Sequence, residues 1–180
     1  MRVLIACESS GTVRSAFRKL GHDAWSCDLL PTDDGDCHHI IGDVRNFLDN
    51  KWELMIAHPP CTHLAASGAR WFKDKQQKQK EALEFVKLLL DAPIPRIALE
   101  NPVSIISSRI RKPDQIIQPW MFGHSEAKRT CLWLKGLPKL MPTRIMPLPS
   151  RGYWDNQTPS GQNKLSPSED RWKVRSKTDD

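Results

Sequence analysis

The stretch Arg2–Asp28 constrains the fold more than any other part of this chain. Arg2–Cys7 is an apolar run with Val and Ile, which reads as a buried strand. Glu8-Ser9-Ser10-Gly11-Thr12 makes a turn, after which Val13, Ala16, Phe17 and Leu20 recur at helical spacing as far as a stop at Gly21. Ala24–Cys27 resumes as a second strand, with Asp28 at its end. A β-α-β unit of this kind opens a doubly wound parallel sheet, because the crossover helix returns the second strand beside the first.

The rhythm continues downstream. Pro31–His39 is an acidic, polar loop, and Ile40-Ile41 leads into Gly42-Asp43 and a short helical stretch, Val44–Leu48. Trp52–Ala57 reads as a strand halted by His58-Pro59-Pro60-Cys61, Trp71–Leu90 as an amphipathic helix, and Arg96–Leu99 as a strand ended by Glu100-Asn101-Pro102. Thr130–Leu134 is a later strand. The predicted class is α/β, a single-domain Rossmann-like doubly wound sheet. Residues 1–140 form the catalytic domain, and 141–180 a loop-rich tail of Pro, Ser, Gly, Asn and Lys that reads as partly disordered or shortened.

Composition narrows the partners. The chain has 180 residues, enough for one core, and no apolar run near the roughly 20 residues that span a bilayer. A cytoplasmic location is expected. Five cysteines without framework spacing argue against a disulfide scaffold. A net charge of +6 and a pI near 9.2 point to a polyanionic partner, nucleic acid or a nucleotide.

Open α/β sheets bind ligands beyond the carboxyl ends of their strands. Four such ends carry Cys7-Glu8-Ser9-Ser10-Gly11, Asp28, His58-Pro59-Pro60-Cys61 and Glu100-Asn101-Pro102. The first turn is not G-x-G-x-x-G, and its glutamate repels a pyrophosphate. A cationic, phosphate-free ligand such as S-adenosylmethionine suits it better than NAD, with Asp28 placed for ribose hydroxyls. Two prolines stop the strand before Cys61 and hold the thiol on a stiff loop, where a nucleophile is useful. A thiolate beside a carboxylic acid suits attack on an electron-poor ring. Cys61 adds to C6 of cytosine while Glu100 protonates N3, and carbon 5 becomes nucleophilic.

These motifs resemble those of the DNA cytosine-5 methyltransferases, particularly the short phage-type forms, from Arg2 to about Leu140. The resemblance implies a sheet of the S-adenosylmethionine-dependent methyltransferase type. Leu4–Gly11 stands where the first cofactor motif lies, with Ala6-Cys7-Glu8-Ser9-Ser10-Gly11 in place of the usual phenylalanine-glycine pattern. Asp28 holds the acidic position, and Gly42-Asp43 matches the motif whose aspartate bonds the adenine amino group. Pro60-Cys61 matches the catalytic dipeptide, with Thr62 where glutamine is common. Glu100-Asn101 matches the Glu-Asn pair about forty residues on, and Arg129 the arginine that contacts cytosine O2. Cys61, Glu100 and Arg129 are thereby implied as catalytic. Cys7, Glu8, Ser9, Ser10, Gly11, Asp28, Asp43 and Pro60 would bind the cofactor, and Pro59, Asn101, Arg109 and Arg111 the substrate. The family's bacterial members carry a target-recognition domain after the arginine motif, where here only the loop-rich tail 141–180 is left, Arg175-Ser176-Lys177-Thr178 within it.

Base-flipped DNA is the first expected substrate. The same chemistry on a free nucleotide such as dCMP is the alternative, since no recognition domain reads the duplex. An amino-methyltransferase is disfavoured because His58-Pro59-Pro60-Cys61 lacks both the aromatic residue and the acceptor that such a site needs. A degenerate cofactor-binding homologue is opposed by the retention of Cys61 and Glu100. No metal is expected: Cys27, Cys37, His38 and His39 lack a zinc-site spacing. His58 and His63 flank the cysteine as scaffold or as tuners of its thiolate. The Lys73–Lys80 run reads as a solvated face, and Tyr153, Trp154 and Trp172 as anchors or base-stacking groups.

Overall fold

The computed structural model describes residues 1–65 and 76–161. Its strands are β1 (Arg2–Ala6), β2 (Asp23–Asp28), β3 (His39–Ile41), β4 (Leu54–Ala57), β5 (Ile97–Pro102), β6 (Gln115–Ile117) and β7 (Thr130–Lys135). The helices are α1 (Thr12–Lys19), α2 (Gln76–Asp91) and the single turn α3 (Ile106–Arg109). The sheet order is β3-β2-β1-β4-β5-β7-β6. Pairing is parallel from β3 to β5, and β7 runs antiparallel to β5, so the sheet is mixed rather than wholly parallel.

The centre of the sheet explains why the first strand is apolar without alternation. Val3, Leu4, Ile5 and Ala6 are all fully buried, because β1 lies between β2 and β4 and is covered on both faces. Leu4 and Ala6 join a large core with Met55, Leu99 and Trp133, into which α2 packs Val86 and Leu89. Val3 and Ile5 face the opposite way, into a smaller cluster with Ala24 and Leu54 that Val13 and Phe17 of α1 cover. Helices therefore lie on both faces, as a doubly wound sheet requires. Gly21 follows α1 with φ +81°, the left-handed turn that lets the chain leave a helix.

Several boundaries differ from the sequence expectation. The strand predicted to end at Leu99 continues through Glu100, Asn101 and Pro102, because β7 pairs with all three after β4 has stopped at Ala57 opposite Leu99. The part of the predicted helix from Trp71 to Lys75 lies outside the described residues, as do Trp172 and the Arg175–Thr178 segment. α3, β6 and a 3₁₀ turn at Pro119–Met121 are not expected from the sequence. They are too short to set up a period.

The described residues divide into two compact units, Met1–Gln115 with Thr130–Lys139, and Ile116–Arg129 with those from Leu140 onward. The sequence places its boundary at 140 but does not assign 116–129 to the second unit. Within that unit Trp120 stacks on Trp154 at a centroid distance of 5.9 Å, 6° from parallel. The Met146 N–H donates to Trp120 O (2.8 Å), and Asn156 brackets Ala127 by donating to its carbonyl and accepting from its N–H. Trp154 is thus an anchor inside this unit. No helix among the described residues is long and apolar enough to cross a membrane.

Candidate active site

The carboxyl ends of β1, β2 and β3 meet at one edge. The N–H groups of Cys7 and Glu8 both donate to Cys27 O, and the Gly42 N–H donates to Asp28 O (2.8 Å), so the three turns are stitched together by backbone. Burial, and then the neighbouring Asp28, Cys27 and Asp43, push the Cys7 thiol up to about 12. Burial with the same two carboxylates raises Cys27 to about 11. Both thiols stay protonated at neutral pH, and the field they report is negative. Asp28 accepts the Leu30 N–H (3.0 Å). Asp43 caps the 3₁₀ turn Val44–Phe47 and is clasped by Arg45, which holds its carboxyl below the usual range.

Glu8 has a different role from the one its position in the sequence suggests. It is buried, and its carboxylate accepts the N–H groups of Val13 (2.6 Å) and Arg14 (3.2 Å) at the start of α1. Those amides are where a helix N-terminus would seat a phosphate. Glu8 therefore occupies the anion seat instead of presenting its charge to a ligand. The chain can reach back this way because Cys7 adopts φ +61°, a left-handed conformation rare for a residue with a side chain. Gly11, at φ +74°, has no room for a Cβ: one would collide with the Asp34 carboxylate and the Arg14 guanidinium. Ser10 donates to Glu8 and accepts the Thr12 N–H, while Ser9 O accepts from Asp33.

Arg14, which the sequence does not single out, is fully buried. Its guanidinium donates to Ser26 Oγ (2.8 Å) and pairs with Asp34, so it fastens the loop after β2 onto α1. Its one signal in the sequence is a cation amid the apolar positions of the helix.

The ends of β4 and β5 carry the second half of the site. The His58 N–H donates to Ala6 O, Pro59 is buried, and Pro60 turns the chain outward to Cys61. Cys61 O accepts the N–H groups of Leu64 and Ala65, each at 2.9 Å, so the thiol heads a tight turn. Asn101 is buried, and its Nδ2 donates to Pro59 O at 2.9 Å. Glu100, on the alternate face of β5, has Oε2 3.5 Å from His58 Nδ1. Among the described residues, His58 Nε2, His63 Nδ1, Asn101 Oδ1 and Ser104 Oγ are buried without a hydrogen-bond partner. Unspent polar groups thus gather around the Cys61 turn.

No protein-family model and no curated protein matches this chain.

The expected site residues sort accordingly. Cys7, Asp28 and Asp43 are gathered at one edge, while Asn101, next to Glu100 on β5, is bonded to the carbonyl of Pro59, two residues before Cys61. Asn101 braces the Cys61 turn through its bond to Pro59 O. The Arg111 guanidinium donates to Asp114 (2.6 Å) and to Leu134 O (3.0 Å), holding β7. Arg109 is exposed at the end of α3. Arg129 belongs to the second unit, immediately before β7. Of the four residues weighed for zinc, His39 is bonded to Ser26 and Leu30, and Cys27 to Gly42. Asp36, Cys37 and His38 do bring an oxygen, a sulfur and a nitrogen within 4.8 Å of one another, with His38 Nδ1 2.7 Å from Asp36.

Proposed function

We propose that this chain is an S-adenosylmethionine-dependent methyltransferase that modifies carbon 5 of cytosine in DNA through a covalent bond from Cys61. The observation that carries this reading is the hydrogen bond from Asn101 to Pro59 O, which ties the Cys61 turn to the strand bearing Glu100. The turn that carries Cys61, after β4, is thereby tied to the neighbouring strand β5, which carries Glu100. Support for the cofactor comes from the other half of the same edge. The Asp28 and Asp43 carboxylates suit a cationic, ribose-bearing ligand, and Glu8 fills the seat a dinucleotide's phosphates would need. The dinucleotide fold orders its strands 3-2-1-4-5-6 in a parallel sheet. Here the antiparallel β7 intervenes after β5, a second departure from that type.

When bound, S-adenosylmethionine supplies the methyl group. The Cys61 thiolate adds to C6 of the cytosine, and Glu100 gives a proton to N3 as electron density moves into the ring. Carbon 5 would then take the methyl group as the donor's S–CH3 bond breaks to leave S-adenosylhomocysteine. A water molecule would accept the C5 proton, the C6–S bond would break with its electron pair returning to Cys61, and N3 would hand its proton back to Glu100. His58 is placed to hold Glu100 in position through its Nδ1.

The test is an oligonucleotide carrying 5-fluorocytosine. Fluorine at C5 cannot leave as a proton does, so elimination stops and the protein stays bonded to C6. An adduct that survives denaturation, needs the methyl donor, and maps by mass to Cys61 is the expected result. Methyl transfer that persists in Cys61→Ala would refute covalent catalysis at this position.

A further inference from the structure

We propose that the groove between α2 and α3 binds successive phosphates of the nucleic-acid strand carrying the target base. The proposal rests on the methyltransferase reading and adds to it where the phosphates of the DNA strand are held. The groove has a volume of about 290 Å³, and its polar lining is Gln76, Gln79, Lys80, Glu84, Lys87 and Arg109. Three cations against one carboxylate leave it net positive.

Charge on an exposed helix is ordinarily just solvated. Three features distinguish this set. First, the cations come from two elements that wall a concavity, Lys80 and Lys87 on α2 and Arg109 on α3. Second, they are available. Among the described residues Lys87 and Arg109 make no ion pair, and Lys80 meets only Glu84, at 3.9 Å with both side chains solvent-exposed. A pairing of that kind is worth about 0–1 kcal/mol and gives way to a phosphate at little cost. Third, the groove is connected to the candidate nucleophile. Gln79, one of its lining residues, donates from Nε2 to His63 O (3.3 Å), in the turn that Cys61 heads.

Topology gives the direction. α2 begins after the Cys61 turn, at the carboxyl edge of the sheet, and runs away from it. α3 follows β5 from the same edge. Lys80 and Lys87 are two helical turns apart, about 10 Å along the axis. A mononucleotide has a single phosphate ester to offer, whereas a strand leaving the Cys61 turn presents one phosphate after another. Side-chain amides such as Gln76 and Gln79 are also suited to phosphate oxygens, which position a strand without reading its sequence.

Salt dependence tests this directly. The full chain and a Lys80→Gln/Lys87→Gln/Arg109→Gln variant are titrated with fluorescent cytosine-containing oligonucleotides, single-stranded and duplex, over a series of potassium chloride concentrations. Each phosphate that is no longer neutralised should flatten the slope of log affinity against log salt by about 0.7 for single strands and about 0.9 for duplex. The triple variant should therefore bind more weakly and with a slope shallower by about 2–3. A Lys19→Gln/Lys51→Gln/Lys139→Gln control makes the same charge change at exposed positions outside the groove and should keep the wild-type slope. An unchanged slope in the groove variant, equal loss in both variants, or no oligonucleotide binding by the wild type overturns the proposal. Calorimetry with S-adenosylhomocysteine on the same proteins separates the two ideas. Cofactor binding with an unchanged slope sinks the groove alone. A flattened slope without cofactor binding sinks the methyltransferase reading alone.

Discussion

Replacing Glu8 with alanine should destabilise the protein by about 2–3 kcal/mol and create an anion site where none is accessible now. The Glu8 carboxylate accepts the Val13 N–H at 2.6 Å and the Arg14 N–H at 3.2 Å, and Gly11, the residue before α1, has no side chain with which to cap it. Hydrogen bonds to a charged acceptor are worth about 1.5–3 kcal/mol each, and loss of a helix cap about 0.5–2. The two amides share one acceptor, so their losses do not add in full. Glu8→Gln keeps a neutral acceptor and should lose only about 1 kcal/mol. Urea unfolding measures both changes, and thermal unfolding should show a fall of about 5–10 °C for the alanine variant. Phosphate provides the decisive comparison. At matched ionic strength it should raise the melting temperature of Glu8→Ala more than that of the wild type, because the vacated helix N-terminus can bind it. A loss under about 0.5 kcal/mol, or the same phosphate effect in both proteins, would refute the capping role.

Other consequences are open to measurement. Glu100→Gln should retain S-adenosylhomocysteine affinity in calorimetry yet lose about 10²–10⁴-fold in turnover, since an amide cannot supply the proton to N3. Asn101→Ala removes the bond to Pro59 O and should lower stability by about 1–2 kcal/mol, with a larger proportional fall in kcat than in cofactor affinity. Asp34 is held near 2 by its hydrogen bond from Thr32 and by Arg14, well below the ordinary 3.8. Its contribution to stability is therefore present above about pH 4 and lost as pH falls toward 2. Asp34→Asn should flatten the acid limb of the stability profile over that window, and an unaltered limb would count against the Arg14 clamp.

Much of this protein is legible in its sequence, and for local reasons. Apolar runs such as Val3–Ala6, and a turn followed by apolar residues at helical spacing, are decided by nearest neighbours and by burial on both faces of a central strand. The order of the first strands and helices follows from them. So does the placing of Cys61 just beyond β4, because prolines end hydrophobic runs wherever they occur. What the sequence could not supply depends on partners distant along the chain. β5 extends through Glu100 and Asn101 only because β7, some thirty residues later, lies against it. That alternation sends Asn101 inward to Pro59 and Glu100 outward to His58. A glutamate after a first strand looks the same in sequence whether it meets a ligand or turns back onto its own helix. The left-handed Cys7 and the open amides of α1 decide that it turns back. Likewise Arg111 is merely a basic residue in a loop until Asp114 and the Leu134 carbonyl claim it. Patterns of burial are written along the chain, but which polar group meets which is settled by tertiary packing, where each buried donor must find an acceptor.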